Sequence, residues 1–329
     1  MVLGEIGVNI LTKEDENLNQ TRIKWILLLV IVMWGSNFVI TKILLESFPF
    51  WTLLFFRNLF AAIALIWVVR KFLFIMPKNK KVWGYVLGAS VIGVVINNAF
   101  FQFGLKYTLA TNASLIMGLT PLATALISYL VFSVPLHRKQ MLGISLGFFG
   151  VSLVVLEGEI TNLINLSFNI GDLYIVGALL TFSVSFIFIK KATDIKFPPA
   201  IISLYAYSLS SICYFPMVIW EQTMKGWSGL PTSLLLWVML IYVGVFPTGI
   251  GNMLWNRGIS ILGPGQCAIF MNGIPLVAAI TSVLVLDEPI LALQIIGFLF
   301  IGSGVILGSQ NSGPIAVKKE EKETTSVTM

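Results

Sequence analysis

The sequence is poor in charge. Of its 329 residues only 11% are Asp, Glu, Lys or Arg, while 57% are apolar and the mean hydropathy is +0.91. A soluble domain carries about 25% charge. So few charged side chains do not solvate a soluble surface of this size, which excludes a water-soluble enzyme. Histidine occurs once, as His137, and cysteine twice, as Cys213 and Cys267 in apolar stretches. A disulfide framework is thereby excluded, and triad or zinc chemistry has almost nothing to work with. No metal or cofactor is expected. The chain has no Gly-x-x-x-x-Gly-Lys-Ser/Thr loop, so it does not hydrolyse ATP through a P-loop. The sequence also places no carboxylate deep in an apolar run: Glu46, Asp172, Asp287 and Glu288 fall at run ends or in loops. That argues against a buried-carboxylate proton relay and against a pocket for organic cations.

What remains is an all-α integral membrane protein. Backbone groups in lipid need internal partners, so helices are the default, and no alternating ~10-residue strands of a barrel are visible. Ten spans are expected at about 25–44, 51–69, 82–104, 110–133, 140–156, 172–189, 199–219, 233–256, 264–286 and 292–309. With the N-terminus inside, the cytoplasmic segments hold most Lys and Arg, including Arg70, Lys71, Lys80, Lys81, Arg138, Lys139, Lys190, Lys191, Lys196 and Arg257. The outer loops hold Lys106 and Lys225. This is a strong positive-inside bias, and an even number of spans puts both termini in the cytoplasm. Residues 1–22 lack the apolar core and cleavage site of a signal peptide, so the first span is expected to stay as an anchor. The Lys/Glu-rich tail from Lys318 reads as solvated and disordered.

The chain repeats itself. Shifted by 154 residues, segment 83–153 aligns on 237–307 without a gap, with 18 identities in 71 positions. They include Trp83/Trp237, Asn98/Asn252, Pro121/Pro275, Pro135/Pro289 and Gln140/Gln294. Such biased composition gives roughly 8% identity by chance, a third of what is found. Five spans per half turn the second half the other way up. The charges agree: His137-Arg138-Lys139 is placed inside and its counterpart Asp287-Glu288 outside. Inverted repeats point to a secondary transporter with alternating access, rather than a membrane scaffold.

The sequence resembles the EamA-type, ten-helix members of the drug/metabolite transporter superfamily over nearly its whole length. The residues that carry this are Trp34-Gly35-Ser36-Asn37-Phe38 with Lys42, Arg57-Asn58-Leu59-Phe60-Ala61-Ala62, and Gly104-Leu105-Lys106-Tyr107-Thr108. Pro121-Leu122, Pro275-Leu276, Leu286-Asp287-Glu288, Gly297 and Gly304 complete the set. One departure is Val134-Pro135 where the family has a Glu after the fourth span, as in Glu288-Pro289 of the second copy. The expected organisation is a polar cytoplasmic stretch 1–22, five-helix repeats at 23–157 and 170–310, and a tail at 311–329. The resemblance implies a prokaryotic cytoplasmic membrane protein that exports or exchanges small metabolites, such as amino acids. A sugar-phosphate or nucleotide-sugar carrier is the alternative within the superfamily. The expected partners are a small-molecule substrate and the bilayer, not nucleic acid; monomer and homodimer both stay open.

Polar groups inside a span are costly and mark candidate sites. Arg57, Asn37 and Asn98 each lie about 9–10 Å below the outer end of their spans. Arg57 suits a carboxylate, since its planar fork stays charged; binding backbone carbonyls is the alternative. Trp34, Asn37 and Thr41 share one helix face. Asn98/Gln102 and Asn252/Asn256 are i, i+4 amide pairs at matching repeat positions, either lining a pocket or holding helices together. Pro121 and Pro275 break their helices at equivalent points. Nearby Asn112 and Asn272 complete the candidate substrate contacts.

Overall fold

The computed structural model describes residues 20–72, 76–77, 79–108, 138–155, 170–225, 230–286 and 292–309, with isolated positions between 113 and 131. The described elements are helical. They are α1 (Gln20–Ser47), α2 (Phe50–Val68), α3 (Lys80–Tyr107), α4 (Arg138–Val155), α5 (Ile170–Asp194) and α6 (Pro199–Lys225). Then follow α7 (Leu234–Leu262), α8 (Pro264–Phe270), α9 (Ile274–Leu286) and α10 (Ala292–Ser309). Six of them, α1, α2, α3, α5, α6 and α7, are long and apolar enough to cross a membrane. The expected fourth span at 110–133, with Asn112 and Pro121, falls largely outside the described residues, as do Asp287 and Glu288.

Local chemistry sets several helix ends. Asn79 accepts a hydrogen bond from the Val82 amide at 2.9 Å and caps α3. Gly263 ends α7 at φ 85°, a conformation that suits glycine, and Pro264 opens α8 where no amide donor is needed. The α2 start is capped from another helix. Glu221 of α6 accepts from both the amide and the hydroxyl of Thr52, at 2.9 and 3.0 Å. Helix α6 runs past the expected end at 219 to Lys225, and Glu221 is only 4% exposed. Glu221 is thus a buried carboxylate near the end of α6, not deep in the span. The apolar run ends near 219, but the helix does not, because Glu221 has a helix N-terminus to satisfy.

The duplication seen in the sequence recurs in the elements. Helix α3 is interrupted by a π-helical stretch at Val91–Ile96, and α7 by one at Gly244–Gly251. These lie at matching repeat positions, in keeping with the 154-residue shift. Helix α4 packs along α10, its counterpart. A Cβ on Gly304 would come within 2.6 Å of the Gly143 carbonyl and 2.8 Å of the Gly147 amide, so the two backbones touch. The halves are interleaved: α1 and α2 pack on α7, while α5 and α6 pack on α3. Trp255, Phe186, Leu27 and Ile23 are fully buried between them. The outer faces carry bare Leu234, Leu284, Ile212 and Trp25, as lipid contact requires.

Candidate functional site

Between the two halves lies a cavity of about 80 Å³. Its polar lining is Asn37 from α1, Arg57 from α2, Asn97 and Asn98 from α3, Tyr207 from α6 and Asn252 from α7. Trp34, Phe38, Phe101 and Phe182 supply aromatic walls, and Met117, Met271 and Ile274 close it. Gly93, inside the first π stretch, lets α3 approach α5: a Cβ there would overlap Ser185.

The second π stretch anchors the polar side. A π turn disrupts the regular i→i−4 ladder, and Pro247 supplies no donor, so carbonyls of α7 need other partners. The Trp34 indole donates to the Pro247 carbonyl at 2.9 Å. Asn252 donates to the Thr248 carbonyl at 3.0 Å. Thr248 in turn accepts at its hydroxyl from Arg57 Nε at 2.7 Å. One side of the guanidinium is thus held, while its buried Nη1 has no hydrogen-bond partner among the described residues. Arg57 itself is 6% exposed, and no carboxylate pairs with it among the described residues, where Lys190–Asp194 is the salt bridge seen. The guanidinium is therefore held on one edge and keeps donors on another for a further acceptor.

The amides are similarly tethered. Thr41 donates to Asn37 at 3.0 Å, Asn98 donates to Asn58 of α2 at 3.1 Å, and Asn97 donates to the Ala178 carbonyl of α5 at 2.7 Å. Trp34 meets Trp255 at 4.8 Å between ring centroids and Phe182 edge-on at 5.8 Å.

Of the residues singled out in the sequence, Trp34, Asn37, Arg57, Asn98 and Asn252 come together in this lining. Gln102 and Asn256 do not line it. Gln102 is fully buried with neither amide atom bonded among the described residues, and Asn256 donates to Ser203 of α6 at 2.8 Å. Asn272 is buried against Gly147 of α4, outside the lining. Pro275 stands in the first turn of α9, just after the 3-10 turn Met271–Gly273 that breaks the chain there. Asn112 and Pro121 lie outside the described residues. Asn97, Phe182 and Thr248 also belong to the site or its support and do not stand out in the sequence. Thr248 carries no signal beyond lying in a Gly/Pro-rich stretch; Asn97 stands beside a chosen asparagine.

The model of the EamA-like transporter family matches residues 22–156 and again 169–309. An uncharacterized transporter of Bacillus subtilis, YyaM, is 31% identical over 74% of this chain and 77% of its own length. A probable amino-acid metabolite efflux pump of Escherichia coli is 28% identical over 85% of this chain and 92% of its own. A solved crystal structure, 15% identical, superposes with a TM-score of 0.69 over 88% of this chain and 97% of that one, which shows a shared fold. With two copies of the family domain filling most of its length, the chain belongs to the EamA-like transporters and is a membrane transporter, not an enzyme.

Proposed function

We propose that this protein is a secondary transporter that exports or exchanges small polar metabolites bearing a carboxylate, amino acids above all. The observation that carries this reading is the buried Arg57 in a cavity at the seam of two repeated halves. Binding at a repeat interface beside interrupted helices is the arrangement that lets two halves rock around one fixed site. In this reading the chain crosses the membrane ten times, its repeats are inverted, and both termini face the cytoplasm. The Arg57 fork holds the carboxylate. Asn37, Asn98 and Asn252 meet the remaining polar atoms, and the aromatic walls exclude water. The relatives named as amino-acid metabolite efflux pumps support the same substrate class. A sugar phosphate carries more negative charge than a carboxylate, and Arg57 is the one cationic side chain among the described lining residues.

Counterflow of radiolabelled solutes in liposomes tests this. Amino acids loaded inside should drive saturable uptake of labelled amino acid, and sugar phosphates should not. Absence of saturable exchange across a metabolite panel removes the transport reading.

A further inference from the structure

A second cleft, sharing no residue with the central cavity, opens where the end of α2, the start of α6 and the second part of α7 meet. It offers about 170 Å³ of space between Val68, Phe72, Ile201, Met253, Leu254 and Arg257. The walls are apolar, and Arg257 is the one charged side chain among the described lining residues. Further cations stand at the edge. Arg70 and Lys71 are exposed in the 3-10 turn that carries Phe72. Lys196 is exposed in the turn two residues before Pro198, another wall residue. The acid in that turn region, Asp194, is engaged by Lys190 at 2.7 Å.

The surface beside the cleft is that of a bilayer boundary. Helix α2 presents Ile63, Ile66, Trp67 and Val68 bare, with Trp67 71% exposed. The Arg70 guanidinium lies 5.5 Å from the Trp67 ring centroid. A bare apolar face that ends in tryptophan and arginine marks the level of the lipid headgroups. Inward of that level the cleft is greasy; at that level it is cationic. A polar solute finds few side-chain partners on such walls, whereas an acyl chain fits them.

We propose that this cleft holds one anionic glycerophospholipid. Its phosphate is met by Arg257 and Lys196, with Arg70 and Lys71 adding to the field, and an acyl chain lies against Val68, Met253 and Leu254. Clusters of cations beside spans recruit anionic headgroups in this way. The inference rests on the membrane assignment and not on the identity of the transported solute. The bound lipid would wedge α2 against α7, the two helices that share the Arg57–Thr248 hydrogen bond.

The test is native mass spectrometry of the purified, delipidated full chain offered equal amounts of phosphatidylglycerol and phosphatidylcholine. The wild type should retain one phosphatidylglycerol in clear preference. Each cation near the surface contributes roughly fivefold, so the Arg257→Gln/Lys196→Gln double variant should lose most of that preference. Arg257→Lys should keep it, which separates lost charge from a damaged fold. Ala200→Phe, which fills the cleft from the α6 side, should lower retention of both lipids. Unchanged preference in the double variant, or equal retention of both lipids by the wild type, overturns the proposal. Competition by free glycerol phosphate as effective as that of the whole lipid overturns it too, since the acyl chain would then contribute nothing.

Discussion

Arg57 of α2 and Thr248 of α7 are joined across the seam of the two halves by a 2.7 Å hydrogen bond from Nε to Oγ1. The bond fixes the guanidinium against the π turn of α7 and leaves its Nη1 without a hydrogen-bond partner among the described residues. Loss of the guanidinium should therefore act on binding more than on folding. Arg57→Met should weaken a carboxylate solute by about 1.5–3 kcal/mol, the range for a hydrogen bond to a charged group, or roughly 10- to 150-fold. Arg57→Lys keeps the charge and loses the fork, so it should fall between. Half-saturation of counterflow in liposomes measures this, and normal values in both variants would remove the substrate role of Arg57.

Trp34 has two duties that substitution can separate. Its indole nitrogen serves the Pro247 carbonyl, and its ring lines the cavity against Trp255 and Phe182. Trp34→Phe keeps an aromatic wall and drops the hydrogen bond. It should cost about 1 kcal/mol of stability, because Asn252 still approaches the same carbonyl at 3.4 Å. Trp34→Ala opens the core as well and should cost about 3–5 kcal/mol. Unfolding in detergent followed by tryptophan-independent dye fluorescence distinguishes the two. Equal losses would mean that the ring packing contributes nothing.

Much of the site is legible in the sequence because polar groups are expensive in apolar runs. Arg57, Asn98 and Asn252 stand out for that reason alone, and Trp34 stands out as a tryptophan away from a span end. What is not legible is which face of a helix reaches the cavity. Helical periodicity puts Gln102 on the same face as Asn98, yet Gln102 is sealed between helices while the neighbouring Asn97 lines the cavity. The π stretch just before Asn97 shifts the register of Asn97–Tyr107 against Lys80–Ser90, and nothing in Val91–Ile96 announces it. Partners across the seam are equally hidden. Glu221 lies beyond the apolar run of α6 and reads as a loop residue; only the position of Thr52 shows it to be a buried cap.

That cap gives a sharp prediction. Glu221→Ala strands the Thr52 amide in a buried place, which costs about 1–3 kcal/mol. Glu221→Gln keeps an oxygen acceptor and loses only the charge, so it should cost less. Gln222 donates to the Thr52 hydroxyl at 2.8 Å and so does not supply the acceptor that Glu221→Ala removes. Thermal unfolding of the two variants checks the order. A glutamine variant as damaging as the alanine variant would show that the carboxylate charge, rather than acceptance from Thr52, holds the ends of α2 and α6 together.

Two glycines of α10, two positions apart, separate a close contact from mere flexibility. At Gly304 an added Cβ would press on the backbone of α4, at Gly143 and Gly147, and backbone does not step aside. At Gly302 an added Cβ would meet nothing within 4 Å among the described residues. Gly304→Ala should therefore cost about 1–3 kcal/mol, as overpacking does. Gly302→Ala should be neutral, or gain up to about 1 kcal/mol from helix propensity. If α4 and α10 are pseudo-symmetric partners, Gly150→Ala, at the repeat position matching Gly304, should behave as Gly304→Ala does. Unfolding of the three single variants decides it, and a Gly304→Ala protein as stable as Gly302→Ala would mean that α4 and α10 do not touch backbone to backbone.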